Sequence, residues 1–181
     1  MSAANGLTAL WLAYFSQPSG DRILYRTIRK RKVRKIVEIG IGGGQRTLRM
    51  ISLAQRYHPD AVRYVGIDWF EARPTDSDKG MTLKQAYRVL RGTGARIHLV
   101  PSDAQEAFAR VANALSGNEL VVISLVQPLE TLGRIWFFLP RMLAANAIVL
   151  LSKASDLDAA WRPMPLAEIQ SLGMEPRRRA A

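Results

Sequence analysis

The sequence predicts an α/β fold with three layers, in which a mostly parallel sheet carries helices on both faces. Short apolar segments alternate with amphipathic segments of roughly 10–15 residues along most of the chain, as in consecutive strand–helix–strand units. Two of the apolar segments, residues 120–125 and 147–151, are apolar almost without interruption. Continuous apolar strands are typical of parallel sheets that are covered on both faces.

The N-terminal part is predicted to form two helices. In the first helix, five large apolar residues recur at helical spacing: Leu7, Leu10, Trp11, Tyr14 and Phe15. We expect this apolar stripe to pack on the core of the domain; alternatively, it covers a ligand cleft or forms a homodimer with a second copy of the chain. Residues 17–20 then break the helix, and Asp21 is expected to cap a second helix over residues 22–32.

The remaining elements alternate along the chain. Five strands are predicted, at residues 35–40, 62–68, 96–100, 120–125 and 147–151. Four further helices are predicted between them, at residues 47–57, 81–91, 104–115 and 130–144. After the last of these strands, a short helix at 165–172 should end at Gly173, and residues 174–178 should form an edge strand. The final strand pair of the sheet is therefore expected to be truncated.

The composition excludes several kinds of chemistry. The chain has no cysteine, which rules out disulfides, thiolate nucleophiles and cysteine-based zinc sites. With only two histidines, His58 and His98, we expect no metal site, and we expect His98 to be a residue of a strand face rather than a base. No apolar run reaches the ~18 residues of a membrane span. Without a recognisable secretory signal, the expected location is the cytoplasm.

The net charge of +11 resides in two short clusters. Residues 22–35 contain eight basic residues and no acidic one, and residues 177–179 are three arginines. A solvated surface and a polyanionic partner are both consistent with this pattern. For the second case, the residues expected to contact nucleic acid are Arg29, Lys30, Arg31 and Lys32. They would bind backbone phosphates far from the ligand site, because Lys35 begins a strand whose other end, at Gly40, lies about 17 Å away.

Ligands of such sheets bind outside the carboxyl ends of the strands. A glycine-rich turn follows the first strand there, preceded by Glu38, and Asp68 and Asp103 follow the next two strands. A dinucleotide fingerprint is not matched, because Gln45 stands where its third glycine is needed and Asp68 lies 28 residues after Gly40. The sequence G-K-[ST] of a phosphate-binding P-loop is also absent.

This ordered set of acids and glycines resembles the class I S-adenosylmethionine-dependent methyltransferases, which have a Rossmann-like fold, over residues 33–152. The helix, turn and strand at residues 139–151 are also similar to that family, although Ala145-Asn146 replaces its usual glycine pair. The resemblance implies S-adenosylmethionine as cofactor and S-adenosylhomocysteine as product. It divides the single domain of residues 1–181 into an N-terminal helical extension (1–32), a cofactor-binding core (33–152) and a short C-terminal part (153–181).

The resemblance also implies roles for individual residues. The turn would surround the methionine and ribose of the cofactor, Asp68 would accept the two ribose hydroxyls, and the segment ending in Asp103 and Ala104 would meet the adenine. Trp69, with Phe70, could stack on the adenine ring. The cofactor-binding residues expected from the resemblance are Glu38, Gly40, Gly42, Gly44, Asp68, Trp69, Asp103 and Ala104.

Other interpretations of the same residues stay open. Glu38 could be structural, Asp68 could be a solvent-facing loop acid, and Asp103 could be an ordinary helix cap. After the fourth strand the chain lacks the family's usual substrate-binding acid, so the catalytic residues are unknown, with Gln127 and Glu130 as candidates for substrate contacts. The chain could therefore be a methyltransferase, a degenerate relative that acts as a binding module, for instance on RNA, or a Rossmann-like protein for another nucleotide.

Overall fold

The computed structural model describes residues 3–73, 80–125, 132–153 and 161–178. Seven α-helices and six strands lie in these residues. In chain order they are α1 (Ala3–Tyr14), α2 (Arg22–Arg31), β1 (Lys35–Ile39), α3 (Gln45–Gln55), β2 (Arg63–Asp68), α4 (Leu83–Arg91), β3 (Arg96–Pro101), α5 (Ala104–Val111), β4 (Asn118–Leu125), α6 (Gly133–Met142), β5 (Leu143–Lys153), β6 (Arg162–Met164) and α7 (Leu166–Arg178).

The six strands form one sheet in the order β3-β2-β1-β4-β5-β6. All neighbouring strands are parallel except β5 and β6, which are antiparallel. In the register, Val37 of β1 lies opposite Val65 of β2 and Val121 of β4. The strand order changes direction at β1, and this places a switch point at the carboxyl end of β1, where open α/β sheets bind ligands. The predicted, mostly parallel sheet is confirmed.

Helices cover both faces of the sheet. Side chains of successive strand residues point to opposite faces, and buried apolar residues of the strands lie on both of them. On one face, buried residues of α2, α3 and α4 pack with Ile36 and Tyr64 of the strands. On the other face, buried residues of α5, α6 and α7 pack with Val37 and Val65. This arrangement confirms the three predicted layers. No helix in the described ranges is long and apolar enough to cross a membrane.

The N-terminal helix differs from the prediction in its orientation. The five large apolar residues of the predicted stripe are 40–68% exposed, whereas Ala9, Leu12 and Ala13 are buried. The expectation that the stripe packs on the core is therefore wrong. Because α1 lies against α2 through smaller side chains, the two helices can approach closely and the large residues are left outside. The guanidinium carbon of Arg29 lies over the ring of Tyr14, a member of the stripe, 5.9 Å from the centroid of that ring.

The predicted cap of the second helix is also wrong. Asp21 directly precedes α2, but its side chain makes no capping hydrogen bond and its backbone is already helical. Its buried carboxylate instead accepts a hydrogen bond of 2.9 Å from Trp161 Nε1. An N-cap residue needs an extended backbone for its side chain to reach back to the first turn, and the preceding 3-10 turn at Ser19–Asp21 removes that geometry.

The C-terminal end departs furthest from the prediction. The helix does not end at Gly173, because α7 continues to Arg178, and residues 174–178 are not an edge strand. On this side of the described sheet the edge strand is β6, which pairs with Val149–Leu151 of β5; β3 is the edge strand on the other side. A Cβ on Gly173 would lie 2.9 Å from the backbone oxygen of Trp136 in α6. This glycine is thus required for close packing of α6 and α7 rather than for ending a helix.

Candidate functional site

The glycine turn after β1 has a backbone that few other residues could adopt. Gly40, Gly42 and Gly44 all have positive φ, of 81°, 59° and 75°. A Cβ on Gly40 would lie 2.8 Å from the backbone oxygen of Ser124, at the end of β4. The Gly40 N–H donates to the oxygen of Ile67 in β2, at 2.9 Å. The turn therefore brings the carboxyl ends of β1, β2 and β4 into contact, with Gly44 immediately before α3.

Glu38, two residues before the turn, is completely buried. Its carboxylate accepts hydrogen bonds from Tyr64 Oη and Thr47 Oγ1, both at 2.6 Å, and from Arg46 Nε at 2.8 Å. These bonds join β1, β2 and the first turn of α3. Burial, together with the negative charge of Glu38, raises the pKa of Tyr64 well above its ordinary value, so its hydroxyl remains a donor. Glu38 is thus a structural residue that fixes the position of the turn.

Arg46 connects this carboxylate to a second group of residues. Its Nη2 donates to the oxygen of Gly40 at 2.6 Å, and its guanidinium carbon lies 5.0 Å from the ring centroid of Trp161. Burial lowers the pKa of Arg46 and the charge of Glu38 raises it; the balance is a raised pKa, so the Arg46 guanidinium stays charged. The sequence offered no signal for Trp161, which enters the site from the segment before β6 and shares no local spacing with Arg46.

Asp68, at the end of β2, is 7% exposed, and the interpretation as a solvent-facing loop acid is therefore wrong. Its Oδ2 accepts the N–H groups of Ile41 and Gly42 at 2.8 and 3.1 Å. Its Oδ1 accepts the Phe70 N–H at 3.1 Å and Arg73 Nη2 at 2.6 Å. An ionised carboxylate offers about four acceptor positions, so these four donors use all of them.

Two side chains that the sequence analysis did not identify cover the turn. Arg73 lies beside Asp68 and also donates from Nη1 to the backbone oxygen of Phe70 at 3.1 Å. Met81 donates its N–H to the oxygen of Gly42 at 2.9 Å, and its methyl group occupies the place where a Cβ on Gly44 would stand. No local motif could have revealed either contact, because both depend on how the chain returns to the turn after β2.

The residues expected to contact the adenine lie in different environments, and not all of them could contact a ligand. Asp103 caps α5, since its Oδ1 accepts the N–H groups of Gln105 and Glu106 at 2.8 and 3.0 Å. This is the capping role that the sequence left open, and Ala104 follows as the first helical residue. Trp69 is 39% exposed and lies directly after Asp68. Phe70 is 2% exposed within the core, so the expectation that it could stack on adenine is wrong.

Three further residues were considered in the sequence analysis: Gln127, Glu130 and His98. Gln127 and Glu130 lie outside the described residues. His98 is exposed on β3, as expected for a residue of a strand face, and it lies in the middle of the strand, opposite Val65 of β2. Within the described ranges, no cluster of three or more histidine, aspartate or glutamate side chains could hold a metal ion.

Comparison with known proteins identifies the fold. No family model and no curated relative matches the sequence. The chain is similar in structure to the S-adenosylhomocysteine-bound methyltransferase PaMTH1 of Podospora anserina, with a TM-score of 0.52 and 16% identity over 83% of this chain and 62% of that one. It is also similar to the O-methyltransferase TomG of Streptomyces achromogenes, solved with S-adenosylmethionine, with a TM-score of 0.53 and 18% identity over 99% of this chain and 78% of that one.

These similarities show a Rossmann-like α/β fold of the kind found in class I S-adenosylmethionine-dependent O-methyltransferases. The chain spans less than two thirds of the length of the Podospora enzyme.

Proposed function

We propose that this chain binds S-adenosylmethionine and is a methyltransferase of unknown acceptor. One observation carries the proposal: the Asp68 carboxylate is held by the N–H groups of the glycine turn at the carboxyl edge of the sheet. This is the edge at which open α/β sheets bind ligands. The structural neighbours with bound S-adenosylhomocysteine or S-adenosylmethionine support the same assignment.

The residues of the turn fit this cofactor in part. Gly42 and Gly43 have nothing within 4 Å of the position of a Cβ, so a ligand can approach their backbone closely. Asp68 would accept the two ribose hydroxyls, but all its acceptor positions are already used. Two of the four donors are backbone N–H groups of the turn and a third is the backbone N–H of Phe70, whereas Arg73 is a side chain that can rotate away. Ribose binding therefore requires Arg73 to leave Asp68.

The remaining site residues are proposed around this contact. The exposed ring of Trp69 would stack on adenine, and the segment of Asp103 and Ala104 would face the adenine edge. Glu38 would act indirectly, by holding the turn through Arg46 and Thr47. When bound, S-adenosylmethionine supplies an electrophilic methyl group on a sulfonium. Its transfer needs mainly in-line positioning of the acceptor, so the chain does not require a general base. Gln127 and Glu130 stay proposed acceptor contacts.

Calorimetric titration with S-adenosylmethionine and S-adenosylhomocysteine tests the proposal. The wild-type chain should bind both, and Asp68→Ala should weaken binding by about 1.5–3 kcal/mol, the scale of hydrogen bonds to a charged group. Asp60→Ala removes the same charge from an exposed turn before β2 and should leave the affinity unchanged. Thermal unfolding of each variant shows whether it is folded. Absence of binding by the folded wild-type chain would exclude this function.

A degenerate, non-catalytic binding module is the second candidate. The contacts that favour it are those of Arg73 with Asp68 and of Met81 with Gly42 and Gly44, because they occupy part of the turn at which the cofactor is proposed to bind. The same titration separates the two functions. A folded chain that binds neither S-adenosylmethionine nor S-adenosylhomocysteine, even when Arg73 is replaced by alanine, would support the binding module.

Nucleic acid is a proposed partner of the chain, whether the chain is a methyltransferase or a non-catalytic binding module. Lys30, Arg31 and Lys32 are exposed at the C-terminal end of α2, with Arg29 one turn before the helix cap. Replacing these four residues by glutamine should abolish retention of single-stranded RNA at about 50 mM salt, where phosphate contacts are strong. Affinity for S-adenosylhomocysteine should not change. Retention of RNA by the variant would exclude this surface as the contact.

We also propose that the exposed stripe of α1 forms a homodimer, because its large apolar side chains are 40–68% exposed. Sedimentation of the wild-type chain should show a dimer, and Trp11→Glu should give a monomer; a wild-type monomer would exclude the dimer.

A cytoplasmic location, metal-independent activity and the division of the domain at residues 32 and 152 are further parts of the proposal. Cell fractionation, activity in EDTA and limited proteolysis would test them.

A further inference from the structure

A cavity lies at the amino-terminal edge of the sheet, opposite the glycine turn. Its volume is about 350 Å³, within the usual range of small-ligand sites. Basic side chains from β1, β2 and β3 line it on one side, and the segment after α5 lines it on the other, including Leu115 and Ser116. The five residues of β1 separate this cavity from the turn by about 16 Å. It is therefore distinct from the proposed cofactor site.

Three cations lie side by side in this cavity. In the register of the sheet, Lys35 pairs with Arg63, and Arg63 pairs with Arg96. Paired residues of neighbouring parallel strands point to the same face and are about 4.8 Å apart, so the row spans roughly 10 Å. His98, two residues after Arg96 and thus on the same face, also lines the cavity.

No carboxylate neutralises this row within the described residues. The ion pairs found there involve Glu38, Asp68 and Glu168, none of which contacts the three cations. Glu119 lies at the end of the row next to Lys35, and its Oε2 accepts the backbone N–H groups of Arg34 and Lys35 at 2.6 and 3.3 Å. Lys35 Nζ donates to the backbone oxygen of Ser116 at 3.2 Å. Arg63 and Arg96 thus have no ion-pair partner among the described residues.

We propose that this cavity binds phosphate groups. Arginine side chains offer paired N–H donors in a planar arrangement that matches phosphate oxygens, and two of them stand here on adjacent strands. The basic run at the end of α2 is a separate surface, because α2 packs on the other face of the sheet. Phosphate could belong to a small phosphorylated molecule or to a nucleic-acid backbone. The chemistry at the cavity is the same for both sources.

Titration with pyrophosphate tests the site directly. The wild-type chain should bind pyrophosphate, and the double variant R63Q/R96Q should bind it at least tenfold more weakly. The matched control is R88Q/R91Q, which removes two exposed arginines from α4 and changes the net charge equally. Its affinity should equal that of the wild type. All four arginines are exposed, so the variants should stay folded, and thermal unfolding checks this.

A second titration identifies the source of the phosphate. If single-stranded RNA is displaced by pyrophosphate and lost in R63Q/R96Q, the ligand is a nucleic acid. If RNA binding is equal in the two double variants while pyrophosphate distinguishes them, the ligand is a small phosphorylated molecule. Affinity for S-adenosylhomocysteine should be unchanged throughout, so failure here is independent of the proposed function. Absence of pyrophosphate binding by the wild type, or an equal loss in both double variants, overturns the proposal.

Discussion

At the scale of single residues, the candidate site depends on two buried carboxylates with different roles. Glu38 receives three side-chain hydrogen bonds and positions the start of α3, whereas Asp68 receives the N–H groups of the turn itself. Their place in the motif could be predicted from the spacing of acids and glycines. Their partners Arg46 and Arg73 could not, because an arginine near a glycine turn has no local signature.

Removal of the Glu38 carboxylate should be strongly destabilising. Glu38→Ala leaves the Arg46 charge and the hydroxyls of Thr47 and Tyr64 without their acceptor, and we expect a loss of about 3–5 kcal/mol in the free energy of unfolding. Urea denaturation measures it. Glu38→Gln keeps an acceptor oxygen and should lose less. A loss below about 1 kcal/mol for Glu38→Ala would show that the network does not hold the turn.

Replacement of Arg73 should improve cofactor binding. Because Arg73 occupies an acceptor position of Asp68 that the ribose requires, Arg73→Ala should strengthen S-adenosylhomocysteine binding by about tenfold, equivalent to ~1.4 kcal/mol. Arg88→Ala removes an exposed charge from α4 and serves as the control in the same calorimetric titration. Weaker binding by Arg73→Ala alone would mean that Arg73 contacts the cofactor instead of competing with it.

At the scale of elements, the alternation of apolar and amphipathic segments was sufficient to predict the five strands β1 to β5 and the helices between them. Two predictions near the ends of the chain were wrong for tertiary reasons: the face of α1 that packs on the core, and the end of α7 at Gly173. In α1, the apolar stripe does not indicate which face of the helix packs on α2. The opposite face is the buried one, and its small residues Ala9 and Ala13 allow close packing. In α7, Gly173 has the sequence signature of a helix end but is a contact point between helices.

The role of Gly173 leads to a prediction whose sign is informative. In an exposed helix, Gly→Ala stabilises by about 1 kcal/mol through helix propensity. Here the added methyl group would lie 2.9 Å from the backbone oxygen of Trp136, so Gly173→Ala should instead destabilise by about 1–3 kcal/mol. Urea denaturation distinguishes the two results. A more stable variant would contradict the close packing of α6 and α7.

At the scale of the whole molecule, buried tyrosines should make the fold sensitive to alkali. Burial, and then the charge of Asp21, raises the pKa of Tyr25 to about 12, and Tyr64 is raised as well. Arg49 opposes the shift of Tyr25 but does not reach hydrogen-bond geometry with its hydroxyl. The unfolded chain loses these protons near pH 10, while the folded chain retains them. The contribution of these two tyrosines to the free energy of unfolding should therefore be constant below pH ~10. It should fall as the pH rises towards 12.

Urea denaturation at several pH values across this range measures the effect. Tyr25→Phe removes one titrating group whose hydroxyl has no hydrogen-bond partner among the described residues, so its stability should fall less steeply above pH ~10. At neutral pH the variant should be about as stable as the wild type. An equally steep fall in both proteins would show that Tyr25 does not titrate abnormally.

The central claim is that the cofactor binds at the glycine turn and takes the place of Arg73 on Asp68. A crystal structure of the chain with S-adenosylhomocysteine tests it most directly. We predict ribose hydroxyls within about 2.6–3.0 Å of the Asp68 carboxylate, the usual hydrogen-bond range, with the Arg73 guanidinium moved away. The contradicting result is a ligand bound elsewhere, or one bound at the turn while Arg73 keeps its contact with Asp68.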